Sequence, residues 1–251
     1  MTKKGIGRLA MLGLAASILA SCSSGSMVPG ASSGVSTGAS ADSQFATGLE
    51  VFNAGDYSTA HRVWQLAAQS GDAEAENALG WLYAGGLGVT QDHEEAVKWY
   101  QRAASRGNGG GQLNLARHYY YGLGVPQNDP EAARLFGEAS KRGYIEAQNN
   151  LARMYKDGRG VPRRPDLAAS WMQRAAEGGY PPAQNSLGLM YFEGDGVPQD
   201  YQQAWIWLEL AVRNGVPGAE HNRDFVASLL SADQRAAAEE QVSRWRPRAG
   251  T

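Results

Sequence analysis

Only one cysteine, Cys22, occurs in the 251 residues. A lone thiol cannot close an internal disulfide, so whatever folds here is stable without covalent staples. Histidine is equally sparse: His61, His93, His118 and His221 are scattered along the chain. No Cys/His cluster, His-Glu-x-x-His pair or nucleophile elbow accompanies them. The motifs that carry metal-dependent or serine-type hydrolysis are therefore missing, and no catalytic residue, metal or cofactor is expected. Glu193, Asp195 and Asp200 flank one turn, but the alternating ligands and closing glutamate of a calcium loop are absent. An excess of one charge is lacking too. A net charge of −2, with no basic run beyond the first residues, argues against nucleic acid as a partner.

What is present begins with an export signal. Lys3, Lys4 and Arg8 precede a mostly apolar run from Leu9 to Ala20, and its 12 residues fall short of the roughly 20 that span a bilayer as a helix. The run ends in Leu19-Ala20-Ser21-Cys22 and resembles a bacterial lipoprotein signal, which is cut before the cysteine so that the thiol can be acylated. A thiolate is the nucleophile that such acyl transfer needs. The resemblance implies that residues 1–21 are removed and that Cys22 is lipidated. It also implies that Ser23, not being aspartate, permits sorting to an outer membrane facing the periplasm. Removing residues 1–21 leaves 20 basic against 25 acidic residues, a mildly acidic mature chain. From Ser23 to Ala41 the chain is almost entirely serine, glycine and alanine without charge. Such a segment cannot bury enough apolar surface to order itself, so residues 22–41 are expected to form a tether with a span on the order of 25 Å.

Glycines then recur at a fixed interval. Gly86 and Gly88 return as Gly122 and Gly124, Gly158 and Gly160, and Gly194 and Gly196. Leu79, Leu115, Leu151 and Leu187 share the 36-residue step, as do Tyr83, Tyr119, Tyr155 and Tyr191. So do Ala103, Ala139, Ala175 and Ala211, with Gly107, Gly143, Gly179 and Gly215 closing each unit. The spaced glycines of Tyr121-Gly122-Leu123-Gly124-Val125-Pro126 would suit a phosphate loop, but such a loop occurs once in a site. A turn that occurs four times in register is architecture. Within a unit, Ala147, Leu151, Met154 and Tyr155 fall on one helical face, and Leu167, Ala168, Trp171, Met172, Ala175 and Ala176 make a second helix. Glycine ends the first helix, and Pro126, Pro162 and Pro198 keep it from resuming. Asp92 with Glu95 fits a capping box for the second helix, and Asp129-Pro130 is expected to put proline at the first helical position. Two short antiparallel helices cannot bury their faces alone and must stack on neighbours.

The pattern A-x-x-x-L-x-x-x-Y-x-x-G-x-G-V, followed by A-x-x-W/Y and A-A-x-x-G, resembles the Sel1-like repeat, a longer relative of the tetratricopeptide repeat. The resemblance implies an all-α fold, a right-handed α-solenoid of antiparallel helix pairs. The expected layout is a signal peptide over 1–21, the lipidated cysteine and tether over 22–41, and an atypical first repeat over 42–71. Four full repeats follow over 72–216, then capping helices over 217–247 and a tail over 248–251. Ser231 and Gln234 fit a capping box for a last helix bearing Val242 and Trp245, stopped by Pro247. His118 stands where other repeats have Leu82, Met154 and Met190, which makes it a packing residue. Trp99, Trp171 and Trp207 share their position with Leu135 and are expected in the core. Some relatives rich in cysteine pairs bind or hydrolyse β-lactams; without such pairs that activity does not carry over.

In stacked helix pairs the first helices line a concave face, so side chains one turn from the Leu/Tyr stripe should point into a groove. These are Trp81, Arg117 and Arg153 at one repeat position and Tyr120, Lys156 and Phe192 at the next. Asn149 and Asn185 lie on the other side. Aromatic and arginine side chains are the usual anchors of protein interfaces, and asparagine amides suit an extended peptide backbone. The expected function is a noncatalytic envelope scaffold, held to the membrane by its lipid and binding a protein or peptide in the groove. Because aromatics also stack on sugars, a cell-wall glycan or peptidoglycan ligand is the alternative, with an envelope hydrolase a distant third.

Overall fold

The computed structural model describes residues 41–248. The signal peptide, Cys22 and all of the tether but Ala41 lie outside the described residues. Within them there are 12 α-helices and no strand. In chain order these are α1 (Ala41–Asn53), α2 (Tyr57–Gln69), α3 (Ala73–Gly85), α4 (His93–Ser105), α5 (Gly109–Tyr121) and α6 (Asp129–Lys141). They continue with α7 (Ile145–Asp157), α8 (Pro165–Glu177), α9 (Pro181–Glu193), α10 (Tyr201–Arg213), α11 (Ala219–Ala227) and α12 (Ala232–Arg244). Apart from α11, each is 13 residues long. That length is marginal for an isolated helix in water, so packing supplies the stability. None is long and apolar enough to cross a membrane.

The helices pair in sequence, α3 with α4, α5 with α6, α7 with α8 and α9 with α10, and each pair packs on the next. First helices of neighbouring repeats also meet, α3 against α5 and α9 against α11, which makes them the inner layer of an α-solenoid. The repeated residues account for this packing. Ala96, Ala103, Ala132, Ala139, Ala168, Ala175, Ala204 and Ala211 are buried to the last atom, and their small side chains let helices approach closely. The core runs along the stack in three stretches, around Trp64 and Leu79, around Tyr100 and Phe136, and around Leu187 and Leu208.

The turn between the two helices of a repeat is built alike in all four. Gly86, Gly122, Gly158 and Gly194 are left-handed C-caps, the conformation that glycine enters without steric cost. The chain then bends back until the amide before the second helix donates to the carbonyl of the repeat tyrosine. These bonds run from Asp92 to Tyr83, Asn128 to Tyr119, Arg164 to Tyr155 and Asp200 to Tyr191, each 2.9 Å. The second glycine of the turn, also left-handed, has a different task. A methyl group on Gly88 would strike the backbone of Tyr57 and Ser58; on Gly124, that of His93 and Glu94. On Gly160 it would strike Asp129 and Pro130, and on Gly196, Pro165 and Asp166. Each turn therefore sits directly on the first residues of the preceding repeat's second helix.

Three local expectations need correction. Pro130 is the second residue of α6, because Asn128 takes the cap position and accepts from the Glu131 amide at 3.1 Å. Asp92 accepts from the Glu95 amide at 2.9 Å; among the described residues the reciprocal box is complete at Ser231 and Gln234. The last helix stops at Arg244, so Trp245 is its C-cap. From there Trp245 packs edge-on against Trp207 at 6.5 Å, and the Arg248 amide donates to the Glu177 carbonyl at 2.8 Å. The segment over 245–248 thus folds back onto Trp207 and Glu177, in the last two full repeats.

Candidate functional site

Arg117, Tyr120 and Tyr121 of α5, Phe136 of α6 and Glu146, Asn150 and Arg153 of α7 line one open pocket. Arg117 and Arg153 are both exposed. They hold the same place in successive repeats because they follow Ala116 and Ala152, which turn inward and are fully buried. Glu146 shares the pocket and lies 3.5 Å from Arg117. Tyr121 leans on Tyr120 with ring centroids 4.8 Å apart and is 60% exposed. Tyr180 belongs to the same neighbourhood. Burial pushes its phenol above the ordinary value and Glu146 adds to that, whereas Arg117 and Arg153 pull it down.

The expected groove residues separate into groups. Arg117, Tyr120 and Arg153 meet in this pocket. Tyr120, however, is half-buried beneath Arg159, whose guanidinium lies 3.6 Å above its ring, donates to its carbonyl at 2.8 Å and pairs with Asp129 at 2.8 Å. The exposed ring is that of Tyr121. Lys156 is half-buried and 3.8 Å from Glu193. Trp81 and Phe192 lie toward opposite ends of the stack. Trp81 packs edge-on against Phe52 at 5.4 Å; Phe192 packs edge-on against Phe225 at 5.7 Å and lies tilted to Tyr201 at 5.9 Å. Asn149 is a correction. It is only 4% exposed and its Oδ1 is out of reach of solvent, because its face of α7 turns into the stack. Asn185 is half-buried with an equally enclosed Oδ1.

Reading the sequence missed Tyr121, Glu146 and Asn150. Tyr121 had a signal: it is aromatic where other repeats carry Gly85, Asp157 and Glu193. A further missed residue is structural. Glu76 is completely buried and holds Arg102 at 2.9 Å and Arg106 at 3.1 Å, while Arg102 also donates to the Ala68 carbonyl at 3.2 Å. The other repeats put Gln112, Gln148 and Gln184 there, and each amide donates to a group in or at the end of its own or the preceding second helix. His118 is buried, donates through Nδ1 to the Asn114 carbonyl at 2.9 Å and packs against Tyr100 and His93. Trp207 is buried, while Trp99 and Trp171 are half-buried beneath Arg102 and Arg174. Among the described residues no three His, Cys, Asp or Glu side chains converge as metal ligands would.

The sequence profile of the Sel1 repeat matches four times, over residues 73–108, 110–144, 145–180 and 181–216. The solved structure of a Sel1 repeat protein from Oxalobacter formigenes is 27% identical, covering 82% of this chain and 83% of that one with a TM-score of 0.71. That of a Sel1 repeat protein from Klebsiella pneumoniae subsp. pneumoniae is 22% identical, covering 74% and 93% with a TM-score of 0.50, a likeness of fold alone. No curated protein matches the chain.

Proposed function

Because this chain belongs to the Sel1 repeat family, we propose that it is a noncatalytic adaptor of the bacterial envelope, anchored through a lipid on Cys22 and binding a protein partner across α5 and α7. One observation carries the reading. In a chain with an acidic balance, two exposed guanidiniums, Arg117 and Arg153, line the same pocket as an exposed tyrosine. Arginine and tyrosine are enriched among the few residues that carry most of an interface's energy, and a solenoid's inner layer offers them a continuous surface. The scaffold positions the surface, and the surface chooses the partner.

The test is photocrosslinking in intact cells from a reactive residue introduced at Asp157, exposed at the end of α7 and outside the pocket lining. Capture of a defined partner is expected in the parent and its loss in Arg117→Glu with Arg153→Glu, with helical content and melting unchanged. Persistent capture in the double variant would remove the groove assignment.

A further inference from the structure

Most arginines on the surface of this molecule are already satisfied. Arg106, Arg134, Arg159 and Arg223 each meet a carboxylate at 3.1 Å or closer. The two pocket arginines differ. Arg117 has only the 3.5 Å pair with Glu146, both side chains more than a third exposed, and such a pair contributes little in water. Arg153 makes no hydrogen bond or ion pair among the described residues. A guanidinium carries five donors arranged to grip a carboxylate in two bonds. The pocket thus holds most of two such forks unused, with Tyr121 and the Asn150 amide beside them.

Resting on the groove reading above, we infer that the partner presents an extended acidic peptide, with one carboxylate taken by Arg153 and a second, two or three residues away, by Arg117. The spacing follows from the scaffold. Both arginines line one pocket, and an extended chain advances about 3.3 Å per residue, so carboxylates two or three residues apart, about 7–10 Å, come within reach of two long guanidinium side chains. Tyr121 gives the peptide an aromatic face to pack on, and Asn150 can both donate to and accept from its backbone. Glu146 is the internal competitor. It occupies Arg117 while the groove is empty and repels an arriving acid, so it sets the affinity low and tunable.

The experiment is fluorescence anisotropy with the full chain purified in detergent. The probes are a fluorescein-labelled peptide of glutamate alternating with alanine and tyrosine, and the same peptide with glutamine in place of glutamate. The glutamate peptide is expected to bind, with affinity that falls as salt is raised. Arg153→Glu should weaken it roughly tenfold or more, whereas Glu146→Gln should strengthen it roughly two- to fivefold by freeing Arg117. Arg153 forms no ion pair to lose, although its charge bears on Tyr180, and circular dichroism checks that the variant folds. If the glutamine peptide binds equally well and is lost on Arg153→Glu, the acidic specificity is wrong while the groove stands. Binding of the glutamate peptide that ignores Arg153→Glu and Glu146→Gln overturns both. An anionic uronate oligosaccharide that binds where the peptides do not assigns the pocket to a glycan and overturns the inference.

Discussion

His118 fills a place that three other repeats give to Leu82, Met154 and Met190, and its ring has no acceptor or donor for Nε2. Burial is the main reason that its pKa lies below the ordinary histidine value. His93 and Arg117 push it in the same direction, against the Asn114 carbonyl, which favours the proton. A depressed folded pKa means that the unfolded chain binds more protons in the window between the lowered pKa and the ordinary value near 6.5. Stability is therefore complete above that window and declines as the pH falls through it. The melting temperature should drop from pH 7 to pH 5, and His118→Met should lessen the drop, leaving the part due to His61, whose pKa burial also lowers. An unchanged pH slope in the variant would show that His118 is not its source. The same residue shows what could be read in advance. The repeat register alone announced a packing histidine, since its equivalents are apolar. Asn149 was misread because a 36-residue period locates a residue in its repeat but not its depth. On a helix one position is a rotation of about 100°, enough to carry Asn149 into the stack while Asn150 lines the pocket. Tyr120 was read as open because Arg159, which covers it, comes from the next repeat's turn, at a position where other turns carry Leu87, Leu123 and Asp195.

At the scale of elements, the turns show two glycines with unequal burdens. Gly122 is left-handed, and a methyl group there would meet nothing nearer than 3.5 Å. Gly124 is left-handed as well, with a φ of +65°, and is pressed on His93 and Glu94. Gly122→Ala should therefore cost about 1 kcal/mol from the left-handed conformation alone. Gly124→Ala should cost roughly 2–4 kcal/mol, because the repeats must also move apart. Urea unfolding of the two variants measures the difference; equal losses would mean that the second turn glycine is not what holds adjacent repeats in contact. The helices, their order and the inner layer were legible because they are local and repeated four times. The glycine contact was not, since it joins Gly124 to residues 30 and 31 positions earlier and only the stacked chain brings them together. The Glu76 cluster was invisible for a related reason: Arg102 and Arg106 come from the other helix of the pair, and Glu76 differs from its glutamine counterparts by a single group.

On the scale of the whole molecule, the proposed anchor and the pocket divide the work: one holds the chain at a membrane, the other meets a partner. The anchor has its own test. Radiolabelled fatty acid should enter the parent protein and not Cys22→Ser, and equal incorporation would rule out Cys22 as the acylated residue. The body that this anchor would hold is asymmetric across its width. Along one edge the second glycine of each turn touches the neighbouring backbone, which has nowhere to retreat. Along the other edge, Gly71 and Gly107 face the guanidiniums of Arg106 and Arg142, at 3.2 and 3.0 Å from where a methyl group would stand, and long side chains yield where backbone does not. Neighbouring repeats are thus held backbone against backbone at one edge and, at Gly71 and Gly107, through arginine side chains at the other, so the two edges differ in what would have to move for the stack to open, like the rivet and the leaves of a hand fan.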